Sequence, residues 1–307
     1  MKRIVLSLLL LSLLMPLSSE NRKISSPDGL LVVNMTLHNG TPAYSVQYKD
    51  KIILEESPLG LITNISDFSR NLKLFETNEQ TIHNSYYEPK SKKSRIEYLA
   101  NEVTFTLETA QEELFSIIFR VSNNNIAFRY KLAQNGETAR CIVEKEFSGF
   151  NFPSFTTTFL TPQATPMIGW MQTKPSYEEE YVPDEPVGTP SRYGIGYTFP
   201  GLFHVGENGW VLLSETGVDS RYCGAKLSEG TADGLYTISY PEEGENNGIG
   251  SANPAIPLPG ETPWRTITVG DNLKPIVETT IATDLVEPRY EPSREYSFGR
   301  STWSWLL

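Results

Sequence analysis

The sequence predicts an all-β protein built as a large antiparallel sandwich of two sheets. Three observations predict it: apolar residues recur with period two, turn residues fall between those runs, and no long segment carries a helical period. The first run is Leu31, Val33, Met35 and Leu37, all on one side of an extended segment. Asn39-Gly40 follows, a pair that accepts the positive φ of a tight hairpin. Tyr44, Val46 and Tyr48 then share a face, Asp50 between two lysines makes the next turn, and Ile52 to Leu54 resumes extended. Val103, Phe105 and Leu107 repeat the pattern, as do Phe115, Ile117 and Phe119. Asn123-Asn124-Asn125 turns the chain into Ile126, Phe128 and Tyr130. Leu202 to Val205 and Trp210 to Leu213, joined through Glu207-Asn208-Gly209, form a further hairpin. So many strands exceed the needs of a small immunoglobulin-like domain, so the sheets should be large.

Composition narrows the partners. The 307 residues carry 37 acidic against 26 basic side chains, a formal net charge of -11. Such a chain repels phosphate, which excludes sequence-independent binding to nucleic acid. Hydrophobic residues at 39 % and charged residues at 21 % describe a chain that folds rather than a disordered one.

The start of the chain reads as an export signal over residues 1–19. Lys2 and Arg3 precede an apolar stretch from Ile4 to Leu14, which Pro16 breaks before the small residues Ser18 and Ser19. The stretch is shorter than the roughly 20 residues that span a bilayer. After cleavage the protein should be periplasmic or secreted, without membrane contact and two charges more negative. The body then runs from 24 to 286. Phe150 to Pro200 is rich in Pro, Tyr and acids and reads as functional loops or a linker. Residues 287–307 read as a linker followed by an alternating apolar stretch, Trp303, Trp305 and Leu307. That stretch is either a final edge strand or the opening strand of something further. Cys141 and Cys223 are the only cysteines. An exported location permits a disulfide between them, while two buried thiols fit equally.

No standard catalytic motif is present: no phosphate-binding glycine loop, no H-E-x-x-H and no G-x-S-x-G. The three histidines, His38, His83 and His204, are scattered, and with two distant cysteines they make no zinc pattern. Carboxylates beside aromatics stand out instead. Tyr177-Glu178-Glu179-Glu180-Tyr181 lies in the Pro-rich stretch. Its oxygens suit calcium and its rings suit stacking on sugars, although an isolated acidic run is ordinarily a solvated loop. Glu215 ends the apolar run Trp210-Val211-Leu212-Leu213, where a carboxylate must be paired, metal-bound or at an exposed rim. Thr262-Pro263-Trp264-Arg265-Thr266-Ile267 sets a Trp and an Arg at a strand start, a packing motif with the Arg ion-paired.

Taken in order, several of these segments resemble the N-terminal domain of glycoside hydrolase family 97. They are Ser26-Pro27-Asp28-Gly29, Ile126-Ala127-Phe128-Arg129-Tyr130, Pro175 to Tyr181, Leu213-Ser214-Glu215, Thr262 to Ile267, and Phe298-Gly299-Arg300 leading into Trp303-Ser304-Trp305. The resemblance covers roughly residues 24 to 307. It implies a galactose-mutarotase-like super-sandwich that precedes a catalytic TIM barrel, with residues 287–307 leading into a barrel that the chain lacks. Family members act on α-linked glucosides or galactosides with a calcium ion at the active site. Their acid, base and nucleophile come from the barrel, so no catalytic residue is assigned here, and no substrate-binding residue either. One sandwich glutamate is a calcium ligand in the family; Glu215 is the first candidate and Glu178 the second.

The expectation is therefore the N-terminal supporting or carbohydrate-binding domain of an exported α-glycosidase, inactive alone and weak or devoid in calcium binding on its own. A free-standing carbohydrate-binding module and a mutarotase-like enzyme are the alternatives. The second would need an acid/base pair, which the scarce histidines argue against.

Overall fold

A computed structural model describes residues 19–89, 91–163, 180–244, 250–289, 293–295 and 297–302. Residues 1–18 of the expected export signal, Glu178 with its neighbours Tyr177 and Glu179, and the terminal Trp303, Trp305 and Leu307 lie outside the described residues.

The alternation seen in sequence becomes four antiparallel sheets. The first has four strands in chain order, Ser19–Ser25, Leu31–His38, Thr41–Tyr48 and Lys51–Pro58. Asn39 and Gly40 turn the second strand into the third with φ values of 51° and 76°. An added Cβ at Gly40 would meet the Leu72 backbone nitrogen at 2.7 Å, so glycine is required there for space as well as conformation. A ten-stranded sheet forms the main wall. Its path runs Glu185–Pro186, Thr157–Phe159, Gly201–His204, Trp210–Thr216, Trp264–Gly270, Asn125–Leu132, Leu114–Ser122, Arg95–Glu108 and Lys73–Tyr87, with Gly260–Glu261 pairing beside Asn125–Leu132. Two smaller sheets complete the opposing side. One orders Ala255–Pro257, Arg140–Glu146, Leu61–Thr63 and Asp67–Phe68; the other orders Gly149–Asn151, Leu235–Ser239 and Lys226–Leu227.

Burial follows the pleat. In Leu114–Ser122, the side chains of Phe115, Ile117, Phe119 and Val121 enter the main core, while Ile118 points to the other face. The rings of Tyr44, Phe119 and Phe128 meet at centroid distances of 5.4–5.6 Å, a tilted arrangement that aromatic quadrupoles favour. On the outer face of the large sheet, Ile118, Ala127 and Trp264 pack against Ile281 and Leu285. Those last residues belong to and follow a short helix, Ile281–Asp284, preceded by another, Leu273–Glu278, whose first turn Asn272 caps by accepting from the Lys274 amide at 2.9 Å. Neither helix is long enough to impose a readable period on the sequence. No helix among the described residues is long and apolar enough to cross a membrane.

Cys141 is buried, Cys223 partly so, and both are free thiols.

Candidate functional site: an arginine sealed between two glutamates

Strand Trp264–Gly270 lies inside the large sheet, flanked by Trp210–Thr216 and Asn125–Leu132, and all seven of its residues are buried. Its alternation sends Trp264 to the outer face and Arg265, Ile267 and Val269 inward. A guanidinium in such a run needs partners, because it stays charged and cannot be left desolvated alone. Two supply it. Glu146, at the end of the facing strand Arg140–Glu146, accepts from Arg265 Nε at 2.8 Å and Nη2 at 2.7 Å, a bidentate fork. Glu215 sits opposite Arg265 in the adjacent strand and accepts from Nη1 at 2.5 Å.

The rest of the network saturates Glu146. Ser148 Oγ donates to its Oε1 at 2.7 Å, and the hydroxyls of Tyr222 and Tyr240 donate to Oε2 at 3.0 Å each. Ser148 in turn meets the Tyr130 hydroxyl at 2.8 Å. Burial alone would raise the Glu146 carboxyl, but Arg265 and these donors overcome it and hold the group below the ordinary range. Arg265 is held well above its ordinary value: burial opposes its charge, and Glu146 more than compensates. The hydroxyls of Tyr222 and Tyr240 are pushed well upward, first by burial and then by Glu146. They therefore remain donors.

Glu215 differs. Its side chain keeps 13 % exposure, and its second oxygen accepts the Ala225 amide at 2.9 Å. Burial raises its carboxyl, Arg265 pulls it down, Glu146 adds repulsion, and the net shift is upward. The Cys223 thiol is pushed up to about 11, by burial first and Glu215 second. The network thus clamps the segment from Tyr222 to Ala225 against the sheet. Its chemistry is that of a fastener: both carboxylates are bound to Arg265, and the Glu146 side chain is fully buried.

Beside the clamp lies a charged cleft of about 400 Å³, lined by Arg129, Lys131, Asp219, Arg221 and Glu261 with Arg289 at its edge. The Asp219 carboxylate pairs with Arg221 and, at 3.3 Å, with Arg289; the hydrogen bonds from Arg221 hold it at about 2. Arg129 pairs with Glu261 at 2.6 Å and lies 4.2 Å from the Trp264 ring centre. A second opening of about 840 Å³ adjoins it around Arg221, Arg140 and Cys223.

The structure brings together Glu215 and Arg265, the two sequence-singled residues of this region, and makes Glu215 the paired carboxylate among its three expected forms. One Glu215 oxygen accepts from the Arg265 guanidinium and the other from the Ala225 amide, one donor each. Among the described residues no group of three or more His, Cys, Asp and Glu side chains could hold a metal. Glu178 lies outside those residues. Sequence reasoning missed Glu146, Tyr222 and Tyr240. The available signal was Arg265 itself, since a charge inside an apolar strand demands an acid from another element.

Comparison with known proteins agrees with this architecture. The chain is 25% identical over 284 residues to a probable retaining α-galactosidase of Streptomyces bingchenggensis (strain BCW-1), covering 92% of this chain and 40% of the relative. Among solved structures, a β-arabinopyranosidase superposes with a TM-score of 0.87 at 52% identity, covering 90% of this chain and 44% of that one. A glycoside hydrolase family 97 enzyme from Pseudoalteromonas sp. strain K8, solved with panose, shares the fold with a TM-score of 0.71 at 22% identity, over 87% of this chain and 38% of its own. The chain thus spans about two fifths of the length of these relatives. A family model described as glycosyl-hydrolase 97 N-terminal matches residues 24–288, and the chain belongs to that family.

Proposed function

We propose that this chain is the N-terminal sandwich of an exported glycosidase acting on galacto-configured pyranosides, α-galactosides or β-L-arabinopyranosides. It supports a catalytic barrel and breaks no glycosidic bond by itself. The observation that carries the reading is the 52% identity to a β-arabinopyranosidase, maintained over 90% of this chain. The retaining α-galactosidase relative points to the same sugar, because a β-L-arabinopyranose ring is an α-D-galactopyranose ring without its hydroxymethyl group. Both narrow the glucoside-or-galactoside expectation toward the galactoside. A glycosidase needs two carboxyl groups flanking one bond, about 5–5.5 Å or 6.5–9.5 Å apart, and this reading assigns them to the barrel. Glu146 and Glu215 are instead both bound to Arg265. Glu215 and then Glu178 are the calcium-ligand candidates of this reading; each Glu215 oxygen accepts one donor and keeps a second lone pair.

Two experiments test it. The 307-residue chain should show no turnover of aryl α-galactoside, α-glucoside or β-L-arabinopyranoside; sustained hydrolysis lost on Glu215→Gln would overturn the reading. A chimera in which this chain replaces the matching part of the β-arabinopyranosidase should hydrolyse the arabinoside. A folded chimera without activity would refute the supporting role.

A further inference from the structure

The strand Lys73–Tyr87 closes one end of the large sheet, and among the described residues only Arg95–Glu108 pairs with it. Its outer side therefore offers a row of unpaired backbone donors and acceptors over fifteen residues, none of them buried. Proteins ordinarily blunt such an edge with proline, brevity or dense charge. The opposite end of this sheet does so: it closes on the two-residue strand Glu185–Pro186. Lys73–Tyr87 contains no proline, and it exposes Phe75 at 59% and Tyr87 at 70%.

We propose that this edge pairs with the same edge of a second copy of the chain, antiparallel about a two-fold axis through Thr81. The sequence of the strand selects that register. A two-fold axis between identical antiparallel strands must set residues of the same parity opposite one another, so that outward-pointing groups meet. Centring on Glu79 would set that carboxylate against its own copy. Centring on Gln80 sets Glu79 opposite Thr81, and centring on Ile82 sets Glu79 opposite Ser85, so neither gives the acid an imidazole partner. Centring on Thr81 places Glu79 opposite His83, Asn78 opposite Asn84 and Thr81 opposite itself. Each contact except the last occurs twice. Acid meets imidazole, amide meets amide, and threonine meets threonine, the pairings that stabilise neighbouring strands. Within one chain His83 Nε2 already lies 3.7 Å from Glu97 Oε2, so the imidazole would bridge Glu97 and the second copy's acid.

Sedimentation equilibrium and light scattering on the 307-residue chain test this. A reversible dimer is expected at concentrations up to about 100 μM by mass action. Glu79→Lys should weaken it about ten-fold or more, since two opposed contacts are lost together. The paired exchange Glu79→His with His83→Glu should restore it. Thr81→Cys should give a covalent dimer under mild oxidation, whereas the wild-type chain and Asn78→Cys, which has no symmetric partner, should not. These variants change exposed side chains, and unchanged circular dichroism confirms that they fold. A chain that stays monomeric at the highest concentration overturns the proposal. So does a dimer that survives Glu79→Lys and gives no cross-link at position 81.

Discussion

Two polar regions of the same sheet handle charge in opposite ways. Around Arg265 every charged atom is committed: the guanidinium is fully buried, Glu146 accepts five hydrogen bonds, and buried Tyr222 and partly buried Tyr240 complete its shell. Along Lys73–Tyr87 nothing is buried, and the only ionic contact among the described residues, between His83 and Glu97, joins groups exposed at 70% and 64%. Inside, a charge is tolerated only with complete partners, and removing one partner strands the others. Outside, water substitutes for any partner, so side chains there bear on association and hardly on folding.

Arg265→Met attacks the contrast hardest. It leaves the buried Glu146 and the partly buried Glu215 without their cation and should destabilise by about 3–5 kcal/mol in urea unfolding. A loss under about 1 kcal/mol would mean that the cluster is not sealed. Tyr222→Phe removes one hydroxyl from Glu146 and should cost about 1.5–3 kcal/mol, the range for a hydrogen bond to a charged group. Asp219 lies between the extremes, at the rim of the cleft. Its carboxyl is depressed from 3.8 to about 2, so the folded state favours its ionised form. The stabilisation is complete above the unfolded value, and it fades as pH falls from about 4 toward 2. Asp219→Asn should lose less stability than the wild type across that acid interval, and parallel curves would remove Asp219 from the account. The smallest effect belongs to the hairpin: Phe75→Ser should change unfolding stability of the monomer by no more than about 0.5 kcal/mol.

Which parts were legible follows from the same physics. Leu114–Ser122 and Asn125–Leu132 could be read because one face of each enters the core, and alternation records that directly. Lys73–Tyr87 is the longest strand described and has almost no apolar period, because both of its faces meet water. Its polar sequence looks like loop. Only the apolar end of its partner, Val103 to Leu107, announced a strand. At the site, Arg265 and Glu215 were visible as charges in or next to apolar runs. Glu146 was not, because Glu144 and Lys145 beside it are exposed and a register shift between Val143 and Lys145 breaks the alternation that would have marked it as inward.

The tie between Asp219 and Arg289 has a mechanical consequence. Leu285 packs with Trp264, and a Cβ at Gly217 would lie 3.4 Å from the Val286 Cγ1. Leu285 and Val286 are therefore held to the turn that follows Glu215, beside the centre of the largest sheet, and the Asp219–Arg289 pair, whose arginine is exposed, adds a weaker tie. The end of the second short helix is thus fastened to the strand pair that carries the Arg265–Glu215 contact.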